Sequence, residues 1–76
     1  MKHRFSRRHK RLMDVLREAR LEAGLTQQQV AKKMKRGKNF VSVLETGERS
    51  IEICEFIDYA KVLKVEADEL IRRLLR

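Results

Sequence analysis

The sequence contains no proline, no tryptophan, one cysteine and only three glycines among its 76 residues. Its single cysteine, Cys54, cannot form an internal disulfide, and no apolar run approaches the roughly 18 residues needed to cross a bilayer. The basic N-terminus, MKHRFSRRHKR, also lacks the apolar segment of a signal peptide. These features predict a cytoplasmic protein without a membrane partner.

Sustained alternation of apolar and polar residues is missing too, which disfavours a β-sheet. Together with a hydrophobic fraction of 42% and the absence of proline, this predicts an all-α chain. A chain of this length forms one domain, close to the size at which a single apolar core is barely sufficient without disulfides, metal or a partner subunit. We therefore expect dimerisation to help stabilise the fold.

Positive charge is concentrated in the first part of the chain. Residues 1–44 contain 13 Lys/Arg against 3 Asp/Glu, whereas residues 45–76 contain 6 against 8, within a net charge of +8. Such an asymmetry places a positive field on one part of the molecule, as expected of a nucleic-acid-binding protein.

Residues 25–47 predict two short helices joined by a turn. Thr26 and Gln29 have the spacing of a capping box, so a helix begins at about residue 27. Its apolar positions Val30, Ala31 and Met34 recur at the spacing of one helical face, which leaves the lysines between them to solvent.

A polar turn at residues 35–37 precedes the second helix of this segment, which we expect to begin near residue 38 and to end at Gly47. Phe40, Val41 and Leu44 cluster on its inner side. Short hydrogen-bonding groups, a lysine and one methyl-bearing side chain lie opposite, as reading base edges in a DNA major groove requires. These candidate base-reading residues are Lys38, Asn39, Ser42, Val43 and Thr46.

The joint spacing of several residues resembles the Cro/repressor-type (Xre-like) helix-turn-helix family. The residues concerned are Gly24, Leu25, Thr26, Gln27, Ala31, Val41, Leu44, Glu45 and Gly47, and the segment GERSIEICEFIDYAKVL is similar to a bacterial subfamily. The resemblance covers residues 15–71. It implies a compact five-helix bundle of the phage-repressor DNA-binding type, with the helix-turn-helix formed by helices 2 and 3. It further implies a bacterial or phage-encoded regulator, most naturally a repressor, that binds a palindromic double-stranded operator as a homodimer without a cofactor.

The resemblance also assigns roles to other positions. Arg20 and Glu45 would form a bridge between helix 1 and the end of the reading helix. Phosphate contacts are expected from Gln27, Gln28, Lys32, Lys35, Arg36 and Arg49. Lys35 and Lys64 stand where family members commonly have glycine, and a positive φ at either lysine would cost of order 1 kcal/mol.

Three further helices are expected, at residues 11–23, 53–63 and from about 66 onward. Their apolar stripes are Leu12, Val15, Leu16, Ala19 and Ala23 in the first, Ile53, Phe56, Ile57, Ala60 and Leu63 in the second, and Ala67, Leu70, Ile71, Leu74 and Leu75 in the third. The last helix has surplus apolar surface, so Leu74, Leu75 and Tyr59 are candidates for a dimer interface; a frayed C-terminal turn is the alternative.

Residues 1–11 are predicted to form a basic N-terminal arm outside the domain of residues 12–76. This arm is either a disordered or loosely helical segment, or one that lies on phosphates or enters a minor groove.

Other function classes remain open to different degrees. An antitoxin or a restriction controller would use the same domain, and a protein-interaction module would dock a partner such as a toxin through the C-terminal helix. A membrane-surface peptide is disfavoured by the core-sized apolar stripes. No catalytic set or phosphate-cradling glycine loop is present, and His3 and His9 do not share metal-ligand spacing with Cys54, which is expected to be a small packing residue.

Overall fold

The computed structural model describes residues 6–76, and these residues form helices with no strand. The predicted all-α class and the count of five helices are confirmed. The helices are α1 (Arg7–Glu22), α2 (Gln27–Lys33), α3 (Phe40–Glu45), α4 (Ile53–Leu63) and α5 (Ala67–Leu75).

Helix α1 begins four residues before the predicted position. Ser6 is its N-cap, and the Ser6 side chain accepts a hydrogen bond of 3.0 Å from the backbone N–H of His9. Residues 7–11 of the expected arm are therefore helical, while the expectation for residues 1–5 lies outside the described residues. At the other end of the helix Ala23 is exposed, and the inward stripe includes the unpredicted Met13 instead.

Helices α2 and α3 are short, and local side-chain chemistry sets the start of only one of them. The predicted capping box is present, because Thr26 Oγ1 accepts from Gln29 N at 3.1 Å and Thr26 N donates to Gln29 Oε1 at 2.8 Å. Helix α3 starts two residues later than predicted, with Asn39 at its N-cap position and no side-chain cap bond. Lys38 and Asn39 therefore precede the helix.

Helix α4 presents a different face to the core than the predicted stripe. Phe56, Ala60 and Leu63 are buried as expected, but Ile53 and Ile57 point to the surface and Tyr59 is fully buried. Both stripes have helical spacing, and the packing of α4 against α2 and α5 selects the one that contains Tyr59.

Helix α5 packs along α1 and closes the bundle. Arg73 forms an ion pair of 3.1 Å with Glu22, and Arg11 Nη2 donates to the backbone carbonyl of Arg73 at 3.3 Å. A cation at the C-terminal end of a helix is favourable because the last carbonyl groups carry partial negative charge. Leu70 supplies the fully buried contact of α5.

One contiguous core joins all five helices, and α3 contributes two residues to it. Val41 and Leu44 are fully buried beside Leu16 and Val30. Burying a side chain of this size contributes about 1.5–3 kcal/mol, which is enough to hold so short a helix in place. The inner side of α3 is thereby fixed, and its outer side is left at the surface. Within residues 6–76, no helix has the length and apolarity that spanning a bilayer requires.

Candidate nucleic-acid interface

The candidate base-reading residues lie together on the outer side of α3. Lys38, Asn39 and Thr46 are exposed, and Ser42 and Val43 are partly exposed. The structure thus brings all five predicted side chains to one surface, with Lys38 and Asn39 at the amino end of the helix and Thr46 at its carboxyl end.

The two hydroxyl groups on this surface donate to the helix itself. Ser42 Oγ donates to the carbonyl of Asn39 at 3.0 Å, and Thr46 Oγ1 donates to the carbonyl of Val43 at 3.0 Å. Their oxygen lone pairs therefore face outward as acceptors. In this arrangement the hydroxyls suit a donor on a base edge, such as the amino group of adenine or cytosine.

Arg20 and Glu45 form the predicted bridge, with both side chains largely buried. Arg20 Nε donates to Glu45 Oε2 at 2.6 Å, and Arg20 Nη2 donates to Glu45 Oε1 at 3.0 Å. The hydrogen bond with Glu45 raises the pKa of Arg20 above its usual value, despite the opposing effect of burial. A bidentate pair of this kind is strong and directional, so it fixes the orientation of α1 relative to the end of α3.

Gln27 joins the same bridge. Its Nε2 donates to Glu45 Oε1 at 2.9 Å, while Arg20 Nη1 donates to the carbonyl of Leu25 at 2.9 Å. The first residue of α2 is thus bonded to the last residue of α3, which sets the angle between the two helices. The sequence placed Gln27 on a phosphate, and the structure shows its amide nitrogen engaged within the protein.

The other polar residues expected to contact phosphates fall into two groups. Gln28, Lys32, Lys35, Arg36 and Lys38 line one shallow basic cleft beside the α2–α3 turn. At this turn Lys35 has a φ of +60°. The lysine therefore adopts the left-handed backbone conformation that glycine would adopt in other members of the family.

Arg49 lies in the loop between α3 and α4, where it shares a carboxylate with Arg36. Glu55 Oε2 accepts from Arg36 Nη2 at 2.7 Å and from Arg49 Nη2 at 3.1 Å, and Glu55 Oε1 accepts from Arg49 Nη1 at 3.0 Å. Both guanidinium groups also lie over the ring of Phe40, at 4.6 Å and 5.1 Å from its centre.

Glu55 is not among the site residues predicted from the sequence. The available signal was its position three residues after Glu52 at a helix start, where a carboxylate can accept from the N-cap backbone. That bond is present, since Glu52 N donates to Glu55 Oε1 at 3.1 Å.

The expected dimer residues are not brought together. Tyr59 is fully buried, and its hydroxyl donates to the carbonyl of Leu16 at 3.1 Å. Burial raises the pKa of this hydroxyl. The assignment of Tyr59 to an interface is therefore wrong. Leu75 is exposed, and Leu74 is half-buried in an apolar groove lined also by Leu12, Ile51, Ile53, Phe56 and Ile71.

Cys54 is exposed at the start of α4, so its predicted role in packing is also wrong. Among residues 6–76, no group of three or more His, Cys, Asp or Glu side chains is placed to hold a metal ion.

The geometry described above defines a helix-turn-helix of the DNA-reading class: a short capped helix, a turn, and a second helix whose inner side is buried and whose outer side is polar. The comparisons with known proteins agree. The helix-turn-helix family model HTH_3 matches residues 16–70, and the chain belongs to this Cro/C1-type, Xre-like family of DNA-binding regulators.

Solved structures support the same assignment. An XRE-family like protein from Pseudomonas syringae pv. tomato str. DC3000 is 35% identical, with 90% of this chain and 83% of that one covered at a TM-score of 0.83. The wild-type restriction-modification controller protein C.Esp1396I is 27% identical, with 93% and 99% covered at a TM-score of 0.79. The same controller as a tetramer with its natural 35-base-pair operator gives 27% identity and a TM-score of 0.77. A comparison with curated protein sequences finds no match.

Proposed function

We propose that this protein is a transcriptional repressor that binds a palindromic DNA operator sequence-specifically as a homodimer in the bacterial cytoplasm. The observation that carries the proposal is the outer side of α3. Five side chains of base-reading chemistry lie on this side of α3 and at its two ends. The angle of the helix is fixed by the hydrogen bonds that Glu45 accepts from Arg20 and Gln27. A helix held in this way can enter the major groove without the loss of conformational entropy that ordering it on binding would require.

Each base-reading residue has a preferred base on chemical grounds. Asn39 suits the N6 and N7 atoms of adenine, and Lys38 suits O6 and N7 of guanine. Val43 suits the methyl group of thymine. Ser42 and Thr46 accept hydrogen bonds from amino groups on base edges, because their own protons are directed to the helix.

The basic cleft beside α2 and the arginine pair would contact the DNA backbone. Gln28, Lys32 and Lys35 approach phosphates from the α2 side of the reading helix. Arg36 and Arg49 approach from the turn and the loop that flank α3. Gln27 would contribute through its place at the N-terminal end of α2, since the first N–H groups of a helix have no partner within it. Its side chain supports Glu45. These contacts position the protein without selecting a sequence.

The apolar groove between α4 and α5 supports the homodimer. Ile71 and Leu74 of α5 line this groove with the exposed Ile53 of α4. Leu75 of α5 is also exposed, and so is Ile57, one turn further along α4. A two-fold interface must be self-complementary, and a single apolar patch meeting its own copy satisfies that condition. Two reading helices would then meet half-sites about 34–36 Å apart, one turn of DNA.

Selection of bound duplexes from a random pool tests the proposed function. Because C.Esp1396I binds a 35-base-pair operator as a tetramer, the random segment should be at least that long, so that it can hold two adjacent dimer sites. We expect enrichment of an inverted repeat. A pool that shows no enrichment would contradict the proposal and favour an antitoxin-like interaction module that docks a partner protein through the apolar groove.

A reporter experiment tests the direction of regulation separately. The selected inverted repeat is placed across a promoter, and transcription is measured with and without the protein. Reduced transcription is expected of a repressor, and increased transcription would contradict that part of the proposal.

A further inference from the structure

Glu55 is a buried carboxylate that connects the two segments flanking the reading helix. It receives Arg36 from the turn before α3 and Arg49 from the loop after it, and it also accepts from the backbone N–H of Glu52. Its side chain is only 5% exposed, whereas the side chains of Arg36 and Arg49 are 42% and 40% exposed. The carboxylate is therefore the fixed point, and the two arginines extend from it to the surface.

The cluster carries surplus positive charge and unused donors. One carboxylate balances only one of the two guanidinium groups. Each guanidinium has five N–H donors, of which the contacts with Glu55 use one from Arg36 and two from Arg49. Both groups lie over Phe40, the first residue of α3, so their positions are tied to that of the reading helix.

We infer that Glu55 is a positioning residue for operator binding: it holds Arg36 and Arg49 beside α3 so that their remaining N–H groups meet DNA phosphates in register with the base-reading residues. The inference rests on the proposed function. It assigns a role in DNA recognition to an acidic residue that itself makes no contact with DNA.

Removal of the Glu55 charge distinguishes positioning of the arginines from simple electrostatic attraction, because the two effects change operator affinity in opposite directions. Glu55→Gln makes the protein more positive by one charge, which by itself strengthens attraction to any duplex. If Glu55 positions the arginines, the same substitution instead weakens operator binding, since two freed side chains must be ordered again at the moment of binding.

Equilibrium titrations by fluorescence anisotropy test the inference with the selected operator and with a scrambled duplex of equal length. We expect Glu55→Gln to bind the operator about tenfold more weakly than wild type, as loss of charge-assisted hydrogen bonds would produce. Its affinity for the scrambled duplex should be unchanged or higher. Glu48→Gln is the matched control, because Glu48 is an exposed carboxylate next to Arg49 in the loop between α3 and α4. The affinity of this variant for both duplexes should be unchanged or slightly higher.

A double-substitution cycle tests whether Glu55 acts through the arginines. In a protein carrying Arg36→Ala and Arg49→Ala, the added Glu55→Gln should change operator affinity less than about threefold. A full tenfold loss in that background would show a general effect on the fold and overturn the inference.

Circular dichroism melting of every variant identifies a temperature at which all of them are folded. If Glu55→Gln does not fold, Glu55→Asp replaces it, because aspartate keeps the charge but has a shorter side chain. Glu55→Asp should then also lose operator affinity but not affinity for the scrambled duplex.

The outcomes separate this inference from the function it rests on. A wild-type protein without preference for any duplex would overturn the proposed function, and this inference with it. A wild-type preference that Glu55→Gln retains in full, or exceeds, would overturn the inference alone.

Discussion

Glu45 accepts hydrogen bonds from two side chains on two different helices, Arg20 of α1 and Gln27 of α2, and it does so at the last position of α3. A buried ion pair adds little net stability relative to well-packed apolar residues, because removing both charges from water is costly. Its value here is geometric. The bidentate contact allows one orientation of α3 against the bundle, and DNA reading depends on that orientation.

Removing only Arg20 from this pair should lower the free energy of unfolding strongly, whereas removing both partners should not. Arg20→Met leaves the Glu45 carboxylate buried with Gln27 as its remaining partner, and we expect the free energy of unfolding to fall by about 3–5 kcal/mol. Adding Glu45→Leu should recover most of that loss while operator affinity stays low, because α3 is no longer bonded to α1 and α2. Urea denaturation measures the first effect and a binding titration the second. A double variant no more stable than Arg20→Met would contradict this view of the pair.

Asn39 is the residue whose substitution should affect sequence preference most clearly. It is exposed at the start of α3 and makes no cap bond, so Asn39→Ala removes no side-chain support from the helix. We expect a loss of about 1–3 kcal/mol in operator binding and relaxed preference at one base pair, with melting temperature unchanged. An equal loss of affinity for scrambled DNA would show that Asn39 contacts only the backbone.

The Glu55 carboxyl predicts a particular pH dependence of stability. Burial raises its pKa, but hydrogen bonds from Arg49, from the backbone of Glu52 and from Arg36 outweigh that effect, so its pKa lies below the ordinary value. The folded protein therefore binds this proton less readily than the unfolded chain. Its contribution to stability is complete above the ordinary carboxyl pKa of about 4.3 and is lost as pH falls through the lower folded value.

Comparison of wild type with Glu55→Gln separates the contribution of Glu55 to the pH dependence of stability from the contributions of the other carboxyl groups. The difference in free energy of unfolding between the two proteins should be constant above about pH 6 and should narrow as the pH is lowered toward 3. Denaturant titrations at a series of pH values provide the measurement. A difference independent of pH over this range would show that Glu55 is not stabilised in its charged form.

Among the secondary-structure elements, the two turns that follow α2 and α4 share an unusual feature. Lys35 and Lys64 both adopt left-handed backbone conformations, with φ of 60° and 62°. A side chain other than glycine or asparagine is strained there by roughly 1–2 kcal/mol. Lys64 lies between α4 and α5, whereas Lys35 lines the basic cleft. The backbone conformation is therefore the same at both sites, but only Lys35 belongs to the proposed phosphate contacts.

Glycine substitution at the two sites should separate strain from function. Glycine relieves a strain of roughly 1–2 kcal/mol in the folded state. It also increases the conformational entropy of the unfolded chain, which lowers stability by about 0.5–1 kcal/mol. Each variant should therefore gain about 0.5–1 kcal/mol of stability. Lys64→Gly should bind DNA as wild type does. Lys35→Gly should bind more weakly to every duplex, and the slope of log affinity against log salt should shrink by about 0.9. If both variants bound DNA with equal affinity and salt dependence, Lys35 would not contact a phosphate.

The elements also show which features the sequence could predict. The capping box of Thr26 and Gln29 was predictable because its hydrogen bonds lie within one helical turn. The outward direction of Ile53 and Ile57 was not, because two apolar stripes of equal period run along α4 and packing against neighbouring helices selects one. The role of Glu55 depends on arginines that come from two separate loops, and no local pattern brings them together. The α1 start was missed although Ser6 is a good N-cap, because the first turns of α1 carry no apolar stripe.

At the scale of the whole molecule, the basic cleft and the apolar groove are lined by different residues. None of the residues that line the apolar groove is a proposed base-reading residue. In the proposed dimer, a second copy that docks through the apolar groove would therefore leave the base-reading side chains available. One reading helix contacts only a few base pairs, so useful specificity within a genome requires a second half-site.

Polar substitution in the groove should weaken the dimer. Replacing Leu74 and Leu75 together by Ser is expected to lower the population of dimer and hence operator affinity, with helical content retained. Leu21→Ser is the matched control, because Leu21 of α1 is 58% exposed and Leu75 of α5 is 63% exposed, but only Leu75 follows directly after the groove residue Leu74. The control should assemble as wild type does. A loss of assembly in Leu21→Ser equal to that in the double variant would place the interface elsewhere.

Sedimentation equilibrium of the wild-type protein on the selected duplex tests two-fold operator reading most directly. The molar mass of the complex gives the number of chains bound to each inverted repeat. We predict two chains per repeat, bound together over the whole titration, with one chain per half-site. A complex that contains a single chain per repeat at saturation, formed by a protein that is also monomeric when free, would contradict the dimeric reader.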